Sequence, residues 1–187
     1  MSDAAKHGPR RRLPGDLTPE QLIDRVIRVD QAGEYGARRI YEGQLAVLPP
    51  GPDRTAVEHM SKQERRHLEA FERMLAERRV RPTALQPLWH VAGFALGAAT
   101  ALLGPKAAMA CTVAVEEVID EHYRRQAETL GEDDPPLQET ILSFRDDEIA
   151  HRDVALAHGA EDTATYDLIT AAVKTGSRLA IWLSSRL

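Results

Sequence analysis

Apolar residues recur at helical spacing along most of this chain, in long segments separated by proline and glycine. The residues Thr-Pro-Glu at 18–20 combine a helix cap, a first-turn proline and a first-turn acid, which predicts a helix start. The run Pro-Pro-Gly-Pro at 49–52 ends this first helix. A second helix is predicted from about Asp53 to a point before Pro82.

Four more segments follow the same pattern. An apolar helix is predicted at 85–103, a helix at 106–130, and another at 137–157 that is closed by His158 and Gly159. The last segment, 166–187, combines apolar residues at helical spacing with Lys174, Arg178 and Arg186, which is typical of a basic amphipathic helix. Because no segment shows a convincing period of two, the predicted fold class is all-α.

The composition narrows the classes of protein that the chain can belong to. Its 187 residues suit one domain, predicted at 18–187 after a disordered, basic N-terminal tail at 1–17. The net charge of −5 gives no reason to expect a nucleic-acid partner. The first 16 residues lack the apolar core of a secretory signal, and Cys111 is the one cysteine, in an apolar stretch. We therefore expect a cytoplasmic protein with a buried structural thiol.

Two Glu-x-x-His motifs stand out as candidate chemistry. They run from Glu64 to His67 and from Glu148 to His151, each on a predicted helix, where residues three apart share one face. Each motif alone is a weak signal, because a chain this rich in glutamate produces such pairs by chance. Taken by themselves, the motifs do not establish a metal site.

The spacing of two further glutamates makes the motifs specific. Glu34 lies 30 residues before Glu64 on the preceding helix, and Glu116 lies 32 residues before Glu148. The chain thus repeats a single Glu followed by a Glu-x-x-His motif, which is the ligand pattern of ferritin-like di-iron and di-manganese proteins. Carboxylates and imidazoles without thiolate suit iron or manganese better than structural zinc. We predict a ferritin-like four-helix bundle with a two-metal site formed by Glu34, Glu64, His67, Glu116, Glu148 and His151.

The alternative is that these six residues are surface charges and helix salt bridges. Glu116 argues against it, because this residue follows the apolar run at 113–115. A carboxylate buried there without a partner would cost several kcal/mol, and a bound cation would offset that cost.

The segment between the two repeats has the composition of a membrane-contacting helix. No Asp, Glu, Lys or Arg occurs between Arg81 and Lys106. The stretch is long enough to span a bilayer, but His90 and three glycines weaken that interpretation. A span would also place the two halves of the metal site on opposite sides of the membrane. We expect an extra, membrane-facing helix that lies on one leaflet or packs against a partner chain, the alternative being an ordinary buried helix.

At these residues the sequence resembles the demethoxyubiquinone hydroxylases, which are membrane-associated di-iron monooxygenases of ubiquinone biosynthesis. The resemblance covers about 22–187. Its most specific stretches are Arg-Val-Asp-Gln-Ala-Gly-Glu-Tyr-Gly-Ala at 28–37, the run 81–104, and Met-Ala-Cys-Thr-Val-Ala-Val-Glu-Glu at 109–117. All six ligand positions carry the family's residue types, and the chain looks like a bacterial member.

The resemblance implies an activity, cofactors and partners. One iron ion would be held by Glu34, Glu64 and His67 and a second by the other three ligands, with Glu64 and Glu148 bridging. The enzyme would use O2 to hydroxylate the ring of a polyprenyl demethoxyubiquinol, with NADH or another reductant as the electron source. No Gly-rich dinucleotide motif is visible.

The resemblance also implies a location: a peripheral protein on the cytoplasmic face of the inner membrane. Its candidate partners are the membrane surface, other ubiquinone-biosynthesis proteins and a second copy of the chain.

His122 and Tyr123 are the candidate catalytic residues. They follow Glu116 by six and seven residues, about two helical turns, where they could relay protons or electrons. The alternative is that they are ordinary, partly buried polar residues. Asp147 precedes Glu148 and could accept the free ring N–H of a ligand histidine.

Two other functions fit parts of the pattern. A ferritin-like iron-storage or peroxide-scavenging protein would have the same ligands, but the apolar 82–105 segment and the basic tail argue against a soluble storage shell. In a non-enzymatic helical adaptor on a membrane, the six groups would be incidental.

Overall fold

The computed structural model describes residues 15–131 and 133–187. Within these ranges the chain forms six α-helices and one 3-10 turn, Ala160–Asp162, without any β-strand, which confirms the all-α prediction. The predicted tail at 1–17 lies outside the described residues, except for 15–17. The helices are α1, Pro19–Val47; α2, Pro52–Arg78; α3, Gln86–Leu102; α4, Pro105–Leu130; α5, Pro135–Ala157; and α6, Tyr166–Ser184.

The helix ends follow from local sequence. Each of α1 to α5 has proline in its first two positions, where the missing N–H removes no helical hydrogen bond. At α1, Thr18 Oγ1 accepts from the backbone N–H of Gln21 at 3.2 Å, and the Gln21 side chain accepts in return at 3.0 Å. Gly159 after α5 has a left-handed φ of 77°. The predicted helices are all present, with ends within three residues of the prediction.

Four helices form the ferritin-like four-helix bundle. The hairpin of α1 and α2 packs against the hairpin of α4 and α5 through α1–α4 and α2–α5 contacts. Ile27, Phe71, Met109 and Ile141, one from each helix, are buried in its core. Cys111 is also buried, and burial raises the pKa of its thiol to about 12, as expected of a structural cysteine.

The other two helices pack on the outside of the bundle. α3 lies along α1, and α6 lies along α4 with further contacts to α1. The two outer helices meet where Trp89 Nε1 donates a hydrogen bond to Ser184 Oγ at 3.0 Å. α6 is the predicted C-terminal amphipathic helix, with Ile169 and Val173 buried and Leu168 and Trp182 exposed.

One face of α3 is buried against α1 and the other is exposed. A Cβ added to Gly97 would overlap the carbonyl oxygen of Ile40, so glycine is what allows the two helices to approach so closely. α3 is therefore the predicted extra helix rather than an ordinary buried one. Three large apolar side chains of α3 are exposed, Leu88, Val91 and Leu102, and so is Leu103 directly after the helix.

Contact of this face with a membrane stays a prediction. Among the described helices, none combines the length and hydropathy needed to span a bilayer.

Candidate metal centre

The bundle brings all six predicted ligands into one buried cluster. α1 and α4 each contribute a single glutamate, and α2 and α5 each contribute a Glu-x-x-His motif whose two side chains share a helix face. None of the six is more than 2% exposed. They are Glu34, Glu64, His67, Glu116, Glu148 and His151.

The ligand atoms divide into two overlapping groups. Within each group the atoms lie within 4.8 Å of one another. His67 Nδ1 lies 3.1 Å from Glu148 Oε1 and 3.7 Å from Glu34 Oε2, and His151 Nδ1 lies 3.1 Å from Glu64 Oε1. Glu64 and Glu148 belong to both groups. The groups are Glu34, Glu64, His67 and Glu148, and Glu64, Glu116, Glu148 and His151.

The cluster has the unsatisfied polar atoms that a metal site requires. Six carboxylate oxygens and two ring nitrogens in it are buried without a hydrogen-bond partner anywhere in the described residues. Leaving so many polar atoms unpaired is costly, and two divalent cations would both coordinate them and balance four carboxylates. The unpaired atoms are Glu34 Oε2, both oxygens of Glu64 and of Glu148, Glu116 Oε2, and Nδ1 of His67 and His151.

The electrostatics of the cluster also point to a cation. Burial raises the pKa of Glu64 and of Glu116 well above the usual value, and the charge of Glu148 raises both further. Burial lowers the pKa of His67, but the nearby carboxylates of Glu148 and Glu34 outweigh it and raise this pKa to about 11. Protons thus supply the missing positive charge in the metal-free cluster, and metal binding displaces them.

The outer ring nitrogen of each candidate ligand histidine lies within hydrogen-bond distance of a polar side chain. His67 Nε2 lies 2.9 Å from Asp147 Oδ2, the contact that the sequence predicted for Asp147. Because a carboxylate only accepts, this contact places a proton on Nε2 and directs Nδ1 to the cluster. His151 Nε2 lies 3.3 Å from Gln63 Oε1, a partner that the sequence did not indicate. Gln63 Nε2 in turn donates to Asp147 at 3.4 Å, which links the two supports.

Two tyrosines hold the single glutamates in a crossed arrangement. The Tyr123 hydroxyl on α4 donates to Glu34 Oε1 on α1, and the Tyr41 hydroxyl on α1 donates to Glu116 Oε1 on α4 at 2.6 Å. Burial raises the pKa of both hydroxyls well above the usual value, so they stay protonated donors. Sequence reasoning named Tyr123 and missed Tyr41. The sequence contains a signal for Tyr41, because each tyrosine follows a single glutamate by seven residues.

The other candidate catalytic residue, His122, contacts a neighbouring carboxylate rather than a candidate ligand. Its Nε2 lies 3.3 Å from Oδ1 of Asp30, a buried carboxylate that also accepts from Gln126 Nε2 at 2.7 Å. Burial raises the pKa of Asp30 despite these contacts. Of the two predicted residues, Tyr123 contacts a candidate ligand and His122 contacts Asp30. A relay role for either stays a prediction.

An apolar cavity of about 480 Å³ lies between α1, α3, α4 and α6. Its α1 and α4 walls include Gly33 and Val115, the chain neighbours of two candidate ligands. Trp89 of α3 and Gly176 of α6 belong to the opposite walls. The cavity and the carboxylate cluster therefore share two helices, and each of these helices contributes neighbouring residues to both.

Comparison with known sequences identifies the family of this chain. Residues 21–184 match the sequence model of the family described as ubiquinone biosynthesis protein COQ7, a range that includes all four bundle helices from residue 21 onward and all six candidate ligands. The chain belongs to the COQ7 family. This confirms the family that the sequence motifs indicated.

Members of the COQ7 family resemble the chain over most of its length. The 3-demethoxyubiquinol 3-hydroxylase of Rhodospirillum rubrum is 56% identical over 177 residues, 94% of this chain and 84% of that protein. The mitochondrial NADPH-dependent 3-demethoxyubiquinone 3-hydroxylase of Homo sapiens is 52% identical over 176 residues, 92% of this chain and 81% of that protein. The mitochondrial 5-demethoxyubiquinone hydroxylase of Saccharomyces cerevisiae is 40% identical over 203 residues, 100% of this chain and 87% of that protein.

Proposed function

We propose that this COQ7-family protein is a di-iron monooxygenase that hydroxylates the ring of a demethoxyubiquinol with O2 in ubiquinone biosynthesis. The observation that carries the proposal is the buried cluster of four glutamates and two histidines, none more than 2% exposed, in a family whose named relatives are demethoxyubiquinone hydroxylases. Such a cluster has no use as a structural core, because hydrophobic residues would fill the same space at lower cost.

The ligand chemistry favours two iron ions. In the proposed centre Glu34, Glu64 and His67 would hold one ion and the remaining three ligands the other, with Glu64 and Glu148 as the ligands that both ions would share. The sharing of these two residues between both groups of ligand atoms supports the bridging assignment. When bound and reduced, the iron pair supplies the activation of O2 from which one oxygen atom enters the ring.

The chain's own residues would orient and protect this centre. Tyr41 and Tyr123 fix the rotamers of the single glutamates, and Asp147 and Gln63 fix the imidazoles. Burial excludes bulk water, which limits wasteful side reactions. His122 and Tyr123 would relay protons or electrons. His122 contacts Asp30, and we propose that this carboxylate takes part in the relay.

The apolar cavity would receive the substrate. Its walls are almost entirely apolar, which suits a polyprenyl quinol, and α3 separates it from the exposed apolar face described above. Electrons would come from a nicotinamide nucleotide. The resemblance implies NADH or another reductant, while the human relative's name specifies NADPH. An assay with each nucleotide distinguishes them.

We further propose peripheral binding at the cytoplasmic face of the inner membrane. Exposed Leu102 and Leu103 at the end of α3, with Leu179 and Trp182 on α6, give the protein an apolar surface on its two outer helices. Other ubiquinone-biosynthesis proteins, or a second copy of the chain, are further candidate occupants of this surface.

The test combines metal analysis with turnover. Purified protein should carry about two iron ions per chain, and the reduced form should change its absorption spectrum on addition of O2. A strain carrying Glu148→Ala should accumulate the demethoxy precursor, whereas Glu139→Ala, an exposed residue of the same helix, should not. An iron content below about one ion per chain, with no change in the absorption spectrum on addition of O2, would contradict the metal assignment.

A normal quinone profile in the Glu148→Ala strain would instead favour the iron-storage or peroxide-scavenging alternative, because that function uses the same ligands without a quinol substrate.

A further inference from the structure

Glycines inside the helices of this protein fall into two groups. A Cβ on Gly43, Gly93 or Gly97 would press into the facing helix of the α1–α3 pair, so close packing explains those three. A Cβ on Gly33, Gly36 or Gly176 would meet nothing within 4 Å, and none of these three has a left-handed φ. Glycine is among the least favourable residues in a helix interior, so their presence needs another explanation.

All three unexplained glycines line the apolar cavity. Gly33 and Gly36 belong to its α1 wall and Gly176 to its α6 wall. No protein atom occupies the space next to each Cα, so a methyl group there would enter the cavity, or at the exposed Gly176 the solvent beside it, without contacting protein. The glycines keep the cavity wide at the expense of helix stability.

Gly33 and Gly36 lie close to the candidate ligand Glu34 in the chain, and Gly176 lies on α6, which packs against α4. Gly33 precedes Glu34 in the chain. Gly176 lies two residues after Lys174. The ammonium group of Lys174 pairs with Glu117, the chain neighbour of Glu116. About one turn away along the same helices, larger apolar side chains line the cavity: Val29, Ile40, Leu179 and Ile181. The absence of side chains at these three positions widens the cavity locally, relative to the positions about one turn away.

The shape of a polyprenyl quinol accounts for this widening. Its prenyl chain is flexible and narrow and fits between ordinary side chains, whereas its substituted ring is a rigid plate. Resting on the function proposed above, we propose that Gly33, Gly36 and Gly176 form the ring-binding section of the cavity, and that a methyl group at any of them excludes the ring whatever the length of the prenyl chain.

Direct binding tests this assignment. The chain has two tryptophans, Trp89 in the cavity wall and Trp182 on the outer face of α6. In a Trp182→Phe background, quenching of Trp89 fluorescence by a prenylated benzoquinone reports binding to the metal-loaded protein in detergent micelles. Short-chain and long-chain quinones are titrated into the background protein and into Gly33→Ala, Gly36→Ala and Gly176→Ala.

We expect each alanine to raise the Kd of both quinones by the same factor, about ten-fold, because one misplaced methyl in a tight pocket has roughly this effect. The melting temperature should hold or rise, since the methyl enters free space. Thr175→Ala is the matched control. It is exposed on α6, lies outside the cavity wall, and should leave both Kd values unchanged.

Three results would overturn the assignment: unchanged Kd values, loss of affinity for the long-chain quinone alone, or a lower melting temperature in the alanine variants. Failure of the proposed function is a separate outcome. It would be seen in the unsubstituted chain, as absence of both quinone binding and ring hydroxylation.

Discussion

At the scale of single residues, the crossed tyrosines are the most informative contacts. Glu34 on α1 is held by Tyr123 of α4, and Glu116 on α4 is held by Tyr41 of α1. Each half of the repeat thus supplies a ligand and also the hydrogen-bond donor for the other half's ligand. Mutation of such supporting partners typically lowers metal affinity or activity by about 10- to 100-fold.

Tyr41→Phe should therefore weaken metal binding without removing a ligand. The change deletes the hydroxyl that donates to Glu116, and we expect the apparent affinity for iron to fall at least about ten-fold. Competition with a chelator measures this. Tyr35→Phe is the control, because it removes a hydroxyl that lies 2.7 Å from His90 Nδ1, outside the cluster. Equal iron retention in the two variants would show that the crossed bonds do not support the metal.

The buried carboxyl groups predict an unusual pH dependence for the metal-free protein. Burial, and then the charge of Glu148, raises the pKa of Glu64 well above 4.5. The folded state then holds a proton that the unfolded state releases. This contribution to stability is complete below about pH 4.5 and is lost as the pH rises through the folded pKa.

Glu64→Gln should remove this loss of stability at high pH, because an amide side chain does not ionise in this pH range. At about pH 8 the metal-free variant should melt at a higher temperature than the metal-free wild type, and the difference should shrink towards about pH 5. Scanning calorimetry at several pH values measures it. Glu69→Gln, at an exposed position of α2, should behave like the wild type. A wild-type melting temperature that rises between these pH values would contradict the sign of the prediction.

The residues found and missed have a common physical cause. Spacing within a helix fixes which side chains share a face, so Glu64 and His67 were predictable, as was Asp147 beside Glu148. Contacts between helices also depend on the rotation of each helix about its axis, which spacing does not give. The Tyr41 and Gln63 contacts were missed for that reason.

At the scale of elements, the pairing of α1 with α3 depends on the absence of side chains. The sequence showed glycines in an apolar stretch and predicted only that they weaken a membrane span. The structure shows their positive role, because Gly97 lies against the backbone of α1 at Ile40. Helix positions and lengths were predictable from proline, glycine and apolar periodicity. The partner of α3 was not, because both of its faces are apolar in sequence.

Gly97→Ala should destabilise the protein strongly. Its methyl group would overlap the Ile40 carbonyl oxygen, a backbone atom that cannot rotate away, and overpacking of this kind costs about 1–3 kcal/mol or more. Urea unfolding followed by circular dichroism gives the change in the free energy of unfolding. Gly176→Ala makes the same chemical change in open space and should not destabilise. Similar stability in both variants would contradict the close approach of α1 and α3.

At the scale of the whole molecule, the exposed apolar side chains collect on the outer helices. Leu88, Val91 and Leu102 lie on α3 and Leu103 directly follows it, while Leu179 and Trp182 lie on α6. Large apolar patches on a protein surface mark contacts with membranes or other proteins. Most of the exposed large apolar side chains of the described residues thus lie on or at the ends of the outer helices, while the candidate ligand cluster lies within the bundle.

Replacing Leu102 and Leu103 by aspartate should impair membrane binding. Both side chains are more than two-thirds exposed, so the change leaves the core intact while placing two charges on the apolar surface. Flotation with phospholipid vesicles should show at least a several-fold smaller bound fraction. Leu142→Asp, on α5, is the control and should float like the wild type. Unchanged flotation of the double variant would argue for a protein partner on this surface instead.

The crossed tyrosines and the two shared glutamates have a consequence for how the protein matures in the cell. Neither half of the repeat contains a finished coordination shell, since each depends on groups from the other half. Iron binding in the proposed centre would then depend on docking of the two hairpins. A chain in which the hairpins fail to dock would lack part of the ligand shell of each ion.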